Sequence, residues 1–225
     1  MLAAAILVTS GLLLFSIPAS NGCTCLFRHP QQVVCESDFV IKGVQIGDRE
    51  VPFSDDNLPP VGGNRIYTIL VKVVYKGNKT IQEGSEIEVS TGLNSAACGV
   101  NVTPEVLWLL TGRISVVKGK TVYSISLCDW NRECSTLTPQ QLGFLGTGET
   151  YFGRRNKNCK KCKITRCPNN DCSAVKATAT TCLTDAKQCY GETLSCQYKR
   201  KGCQWRGKQD AKKCIGSKEK EVKMI

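Results

Sequence analysis

Tyr67-Thr68-Ile69-Leu70-Val71-Lys72-Val73-Val74-Tyr75 sets the fold class of this chain. Tyr67, Ile69, Val71, Val73 and Tyr75 recur at period two, the side-chain repeat of an extended strand, so the stretch reads as a strand with one buried face. Four other stretches read the same way. Asp38 to Ile46 is rich in Val and Ile. Ser85-Glu86-Ile87-Glu88-Val89-Ser90 alternates, with Ile87 and Val89 inward and the glutamates in water. Val106 to Thr111 is a short apolar run of the kind buried on both sides, and Thr121, Tyr123, Ile125 and Leu127 alternate with Val122, Ser124 and Ser126. Gly-containing turns at Lys76-Gly77-Asn78 and Lys118-Gly119-Lys120 punctuate the series. Five strands at this spacing suit a small barrel, whose closure removes the unpaired edges of an open sheet. Pro in the first turn of His29-Pro30-Gln31-Gln32-Val33-Val34-Cys35, and a Thr N-cap before Pro in Thr138 to Phe144, mark two short helices. The segment from Gly47 to Arg65, with Asp48, Asp55, Asp56, Pro59, Pro60, Gly62 and Gly63, reads as a long loop, either functional or disordered.

The beginning of the chain bears on its compartment. Leu2 to Phe15 is almost wholly apolar, and Ser16 to Gly22 ends in small residues, the layout of a secretory signal peptide over residues 1–22. Cleavage after Gly22 would make Cys23 the first residue. Two readings of Cys23 stand: a structural half-cystine near a terminus, or a free α-amine held by a disulfide and able to ligate a metal. No later apolar run approaches the roughly 18 residues needed to span a bilayer, so the expected product is soluble and secreted. In that compartment the 15 cysteines are mostly disulfides, and their odd number leaves a thiol over. Cys159-x2-Cys162-x4-Cys167-x4-Cys172 superficially looks like a zinc or iron–sulfur ligand set. The lone histidine, His29, and the signal peptide weigh against that, and no cofactor is expected. Asn78-Lys79-Thr80 is an N-glycosylation acceptor, while Asn101-Val102-Thr103 is weakened by Pro104.

Charge is unevenly placed. From Tyr151 onward there are 19 Lys or Arg against 6 Asp or Glu, a surplus of +13 within the chain's +11. Two readings fit: a partner that is polyanionic or acidic, which outside the cell means sulfated glycosaminoglycan rather than nucleic acid, or a solvated surface kept soluble by charge. Eight cysteines fall in the 64 residues from Cys162 onward, and strand signals fade there. Such a segment needs disulfides in place of a core. The expected units are 1–22, 23–159 and 160–225.

Cys23-Thr24-Cys25, His29-Pro30-Gln31-Gln32, Cys35, Ser95-Ala96-Ala97-Cys98-Gly99, Leu127-Cys128-Asp129 and Cys159-x2-Cys162-Lys163-Ile164-Thr165-Arg166-Cys167-Pro168, with Cys203-Gln204-Trp205 at the far end, together resemble the tissue inhibitors of metalloproteinases. CxC alone is a weak signal; the ordered series of twelve cysteines is a strong one. The resemblance implies a mainly β chain. It would comprise a five-stranded oligonucleotide/oligosaccharide-binding-type (netrin-like) barrel with short flanking helices, and a small disulfide-rich C-terminal domain. It implies the pairs Cys23–Cys98, Cys25–Cys128, Cys35–Cys159, Cys162–Cys203, Cys167–Cys172 and Cys182–Cys196. Cys134, Cys189 and Cys214 lie outside that framework; a Cys189–Cys214 bridge would leave Cys134 as the odd thiol. The implied function is inhibition of zinc metalloproteinases of the matrix type. The α-amine and carbonyl of Cys23 would chelate the zinc of the target, Thr24 would enter the adjacent pocket, and Cys25, Leu26, Ser95, Ala96, Ala97 and Cys98 would contact the proteinase. The chain departs from the family in lacking a proline two residues after the second cysteine. Leu26-Phe27-Arg28 stands before His29 instead, which bears on selectivity. An enzyme is not indicated, because there is no nucleophile elbow, no zinc-protease helix motif and a single histidine. The alternatives are a netrin-like matrix-binding module without inhibitory activity and a cationic, cysteine-rich defence protein. A CxC directly after the signal peptide favours inhibition, because the same barrel inside a longer chain has no free amine.

Overall fold

The computed structural model describes residues 22–52, 62–77, 79–146, 157–173, 175–184 and 194–207. The alternating stretch at Tyr67 lies in β2 (Gly63–Lys76), which pairs with β1 (Phe39–Pro52) on one side and β3 (Glu86–Gly92) on the other. β4 (Leu107–Val117) and β5 (Lys120–Ser124) form a hairpin; β5 runs parallel to β3, and β4 returns antiparallel to β1 from Phe39↔Gly112 to Val44↔Leu107. That last pairing closes a ring of five strands, to which β6 (Arg132–Glu133) adds on β4. The chain is mainly β, as expected.

The barrel interior is filled by Phe39, Ile41, Tyr67, Ile69, Val71, Val74, Ile87, Val89, Leu110 and Ile125. The opposite face of β1, β2 and β4 packs Val40, Tyr75 and Leu109 against Val33, Val34, Trp130, Leu137, Phe144 and Leu145. This corrects the single face expected for β2. Tyr67, Ile69 and Val71 point inward, but Val73 and Tyr75 belong to the outer cluster, and Val74 takes the interior place. The cause is a bulge: Gly43 pairs with Val71 and Lys42 with Val73, so Lys72 is an extra residue that swaps the faces beyond it.

The expected loop from Gly47 to Arg65 is corrected at its two ends, while residues 53–61, with Asp55, Asp56, Pro59 and Pro60, lie outside the described residues. Gly47 to Pro52 pairs with Thr68 to Gly63 as a two-stranded ribbon extending from the barrel. Its polar residues face water on both sides, with Arg65 2.6 Å from Glu50, so no hydrophobic alternation marks it as strand. The fifth strand ends at Ser124, short of the expected Leu127. Ser126 N–H donates to Asp129 Oδ2 at 2.9 Å and turns the chain, leaving Leu127 half-exposed.

α1 (Pro30–Glu36) begins at His29, whose Nδ1 accepts from Gln31 N–H. α2 (Pro139–Leu145) begins at Thr138 with a reciprocal Thr138–Gln141 capping box. α3 (Lys157–Lys161) leads into the C-terminal part. There β7 (Lys163–Arg166) runs parallel to β8 (Thr181–Thr184), and β9 (Ser195–Lys199) pairs antiparallel with β10 (Gly202–Arg206). Four short strands thus stand where the sequence showed little strand signal. Cys162, Ile164, Cys182, Cys196, Cys203 and Trp205 form the core, so sulfur replaces most of the usual aliphatic content. The Cys162–Cys203 bridge spans 41 residues and contributes about 4 kcal/mol on the chain-entropy model.

α1 docks this part onto the barrel. The buried Gln31 amide donates to Cys196 O at 2.8 Å and accepts from Cys196 N–H at 2.7 Å, and the His29 ring lies 5.2 Å from that of Trp205. Cys35–Cys159 adds a covalent link. Among the described residues no helix is long and apolar enough to cross a membrane.

Candidate functional site

Cys23 to Leu26 crosses the barrel surface without regular structure, held by sulfur at alternate residues. Cys23 bonds to Cys98 across 75 residues and Cys25 to Cys128 across 103, and Cys23 Sγ lies 3.8 Å from Cys128 Sγ. Thr24 and Cys25 are exposed, and Leu26 is 82% exposed. Beside them Ser95–Ala97 forms a single 3-10 turn, also exposed. Cys23 to Leu26 and Ser95 to Cys98, distant in sequence, therefore make one continuous edge.

The turn at Ser95 is built to hold its place. The Asn94 side chain accepts from Ala97 N–H at 3.0 Å, and Gly99 N–H donates to Asn94 O at 2.7 Å. Cys98 sits at φ +58°, a left-handed conformation unusual for a residue with a Cβ. The turn folds so closely onto β3 that side chains have no room. A Cβ on Gly92 would stand 2.2 Å from Ala97 O, and one on Gly99 would stand 2.0 Å from Gly92 O. Beneath it the Tyr67 hydroxyl donates to Val100 O at 3.0 Å and accepts from Val102 N–H at 3.3 Å, while Val100 N–H donates to Thr91 Oγ1 at 3.0 Å. In the sequence Tyr67 reads only as a core residue. Its hydroxyl is what ties the barrel interior to the segment after Cys98, and nothing in the local pattern signals that.

Arg28 braces the other side. Its guanidinium lies 3.0 Å from Glu36 Oε2 and 3.6 Å from Asp129 Oδ1, and Nη2 donates to Cys128 O at 2.9 Å. Burial pushes the Asp129 carboxyl above its ordinary range, partly offset by the Ser126 amide and by Arg28 and Arg113. A groove of about 620 Å³ runs beside this brace, lined by Leu26, Phe27, Pro30, Leu127, Trp130 and Leu137 among others. The sequence placed Phe27 and Arg28 next to the edge; the structure shows Arg28 turned back to hold it.

All six pairs that the resemblance implies are bonded in the structure: Cys23–Cys98, Cys25–Cys128, Cys35–Cys159, Cys162–Cys203, Cys167–Cys172 and Cys182–Cys196. Among the described residues the side-chain groups that could gather around a metal are Cys23, Cys98 and Cys128, and Cys162, Cys196 and Cys203. All six are half-cystines, so none offers the thiolate that zinc or an iron–sulfur cluster needs. The same argument removes the zinc-like run from Cys159 to Cys172. Cys134 is a free cysteine, half-buried, with its thiol pushed up by burial and drawn down less by Lys42. Cys189, Cys214 and the Asn78 acceptor lie outside the described residues.

Compared with known families, the chain matches tissue inhibitor of metalloproteinase over residues 21–215. Metalloproteinase inhibitor 2 of Cavia porcellus is 31% identical over 169 residues, covering 72% of this chain and 68% of its own. The Homo sapiens metalloproteinase inhibitor 2 is 31% identical over 171 residues, with 72% and 69% covered. Metalloproteinase inhibitor 3 of Gallus gallus is 31% identical over 126 residues, with 54% and 52% covered. The barrel, the half-cystine order and the matched span agree: the chain belongs to the tissue inhibitor of metalloproteinase family, whose members are inhibitors and not enzymes.

Proposed function

We propose that this chain is a secreted inhibitor of zinc metalloproteinases of the matrix type, and that removal of residues 1–22 leaves Cys23 as its working residue. Residues 23–159 form the inhibitory unit and 160–225 a basic second unit whose partner is a sulfated glycosaminoglycan or an acidic protein surface. A metalloproteinase holds its catalytic zinc with three protein ligands and keeps one position for water or substrate. Two donors placed there displace the attacking water and stop hydrolysis. The α-amine and carbonyl oxygen of Cys23 belong to one residue, so they chelate as a five-membered ring with little further ordering. Thr24 enters the pocket beside the zinc, and Cys25, Leu26 and Ser95 to Cys98 line the rest of the contact.

The observation that carries this reading is the exposed edge itself, locked by two touching disulfides before any partner arrives. An edge ordered in advance loses little freedom on binding. A free α-amine titrates near ~7.7–8.0 and must be neutral to donate its lone pair. The decisive experiment adds one alanine before Cys23. Loss of inhibition with an unchanged thermal melt is the expected result; full inhibition by the extended, folded protein rejects the mechanism.

A further inference from the structure

We propose that Arg28 is a positioning residue for inhibition: its guanidinium fixes the Cys25–Cys128 bridge, and through it the orientation of Cys23 and Thr24. The inference rests on the reading of Cys23 given above. It begins from the placement of one cation at the meeting point of three elements. Arg28 follows the second half-cystine of the edge by three residues. One nitrogen reaches Glu36 in the last turn of α1, and the other donates directly to the carbonyl of Cys128. The same nitrogen faces Asp129, whose other oxygen holds the turn that ends the fifth strand.

Cys128 is bonded to Cys25, and its sulfur touches that of Cys23. A contact on the Cys128 backbone is therefore a contact on the edge. Disulfide torsions alone leave rotational freedom about two bonds on each side of the sulfurs. A planar fork that grips the carbonyl on one side and a carboxylate on the other removes it. The Leu26-Phe27-Arg28 stretch has no proline to stiffen it. In this chain the stiffness comes from the guanidinium instead.

Lysine would keep the charge but offers a single flexible point in place of the fork, so it serves as the graded test. Arg113 is the control. It donates to Glu36 O at 2.7 Å in the same neighbourhood but has no bond to Cys128. R28M, R28K and R113M are made in the mature protein and assayed against a matrix-type metalloproteinase catalytic domain cleaving a fluorogenic peptide. Hydrogen exchange at Thr24 and Leu26 is followed in parallel. The expected result is inhibition weakened about tenfold by R28M, the net effect of one lost hydrogen bond to a charged group. R28K should fall in between, R113M should match wild type, and exchange should speed up at the edge only in the Arg28 variants. Wild-type inhibition by folded R28M, or equal losses in R28M and R113M, overturns the proposal. If R28M does not fold, the R28K result decides on its own. The alanine-extended protein keeps the two questions apart: if it still inhibits, the reading of Cys23 is at fault, and if it does not, the Arg28 variants judge Arg28.

Discussion

Replacing Gly92 with alanine places a Cβ 2.2 Å from Ala97 O and 3.0 Å from Ala97 Cβ. Real Cβ atoms essentially never approach closer than 3.0 Å, so the two backbones must part by about 0.8 Å. β3 cannot supply that movement, because it is hydrogen-bonded to β2 on one side and β5 on the other. The turn from Ser95 to Ala97 is exposed and gives way first. Cys98 ends that turn and is bonded to Cys23, so the displacement passes to the first half-cystine of the edge. Overpacking of this kind costs about 1–3 kcal/mol of stability. A misplacement approaching 1 Å in a site that works by orientation costs on the order of 10²-fold. Gly92→Ala is therefore expected to lose inhibition far out of proportion to its loss in melting temperature. The assay is an inhibition constant against a metalloproteinase beside a thermal melt. Gly84→Ala is the control: its φ of +82° strains a side chain, but open space surrounds the position. Unchanged inhibition in folded Gly92→Ala, or an equal loss in Gly84→Ala, would refute the coupling between β3 and the edge.

Two further outcomes follow from the same geometry. Tyr67→Phe leaves the half-buried Val100 carbonyl and the buried Val102 amide without the hydroxyl that serves both, and is expected to destabilise the fold by about 1–3 kcal/mol in chemical denaturation; a loss under half a kcal/mol would show that the hydroxyl does not hold the segment. Burial holds the Cys134 thiol above the ordinary range, so less thiolate is present at pH 8 than on free cysteine. Peptide mapping after iodoacetamide treatment should show slow alkylation at Cys134, faster as pH rises, and a rate equal to free cysteine would contradict the assignment.

The barrel was legible because its strands alternate where one face is dry and the other wet, as Ile87 and Val89 against Glu86 and Glu88 show. The ribbon from Gly47 to Pro52 was not, since neither of its faces is buried and period two leaves no trace in hydrophobicity. Lys72 was unreadable for a different reason. A bulge depends on the partner strand's register, which the local sequence does not encode. The C-terminal strands are four or five residues long and pack on half-cystines, so they lack both length and alternation. At the candidate site, cysteine order and family resemblance brought Cys23 to Leu26 together with Ser95 to Cys98. The supports behind them, Tyr67, Gly92 and Arg28, act through hydrogen bonds and close approach across long sequence separations, and those leave no motif.

Thr24 lies between two anchored half-cystines and Leu26 follows the second, and neither side chain helps to fill the interior. The scaffold asks nothing of these two side chains. On the mechanism proposed above, exchanging them would retune which proteinase is preferred at almost no cost to folding, so the choice of target and the upkeep of the architecture would be separate problems for evolution and for the engineer alike.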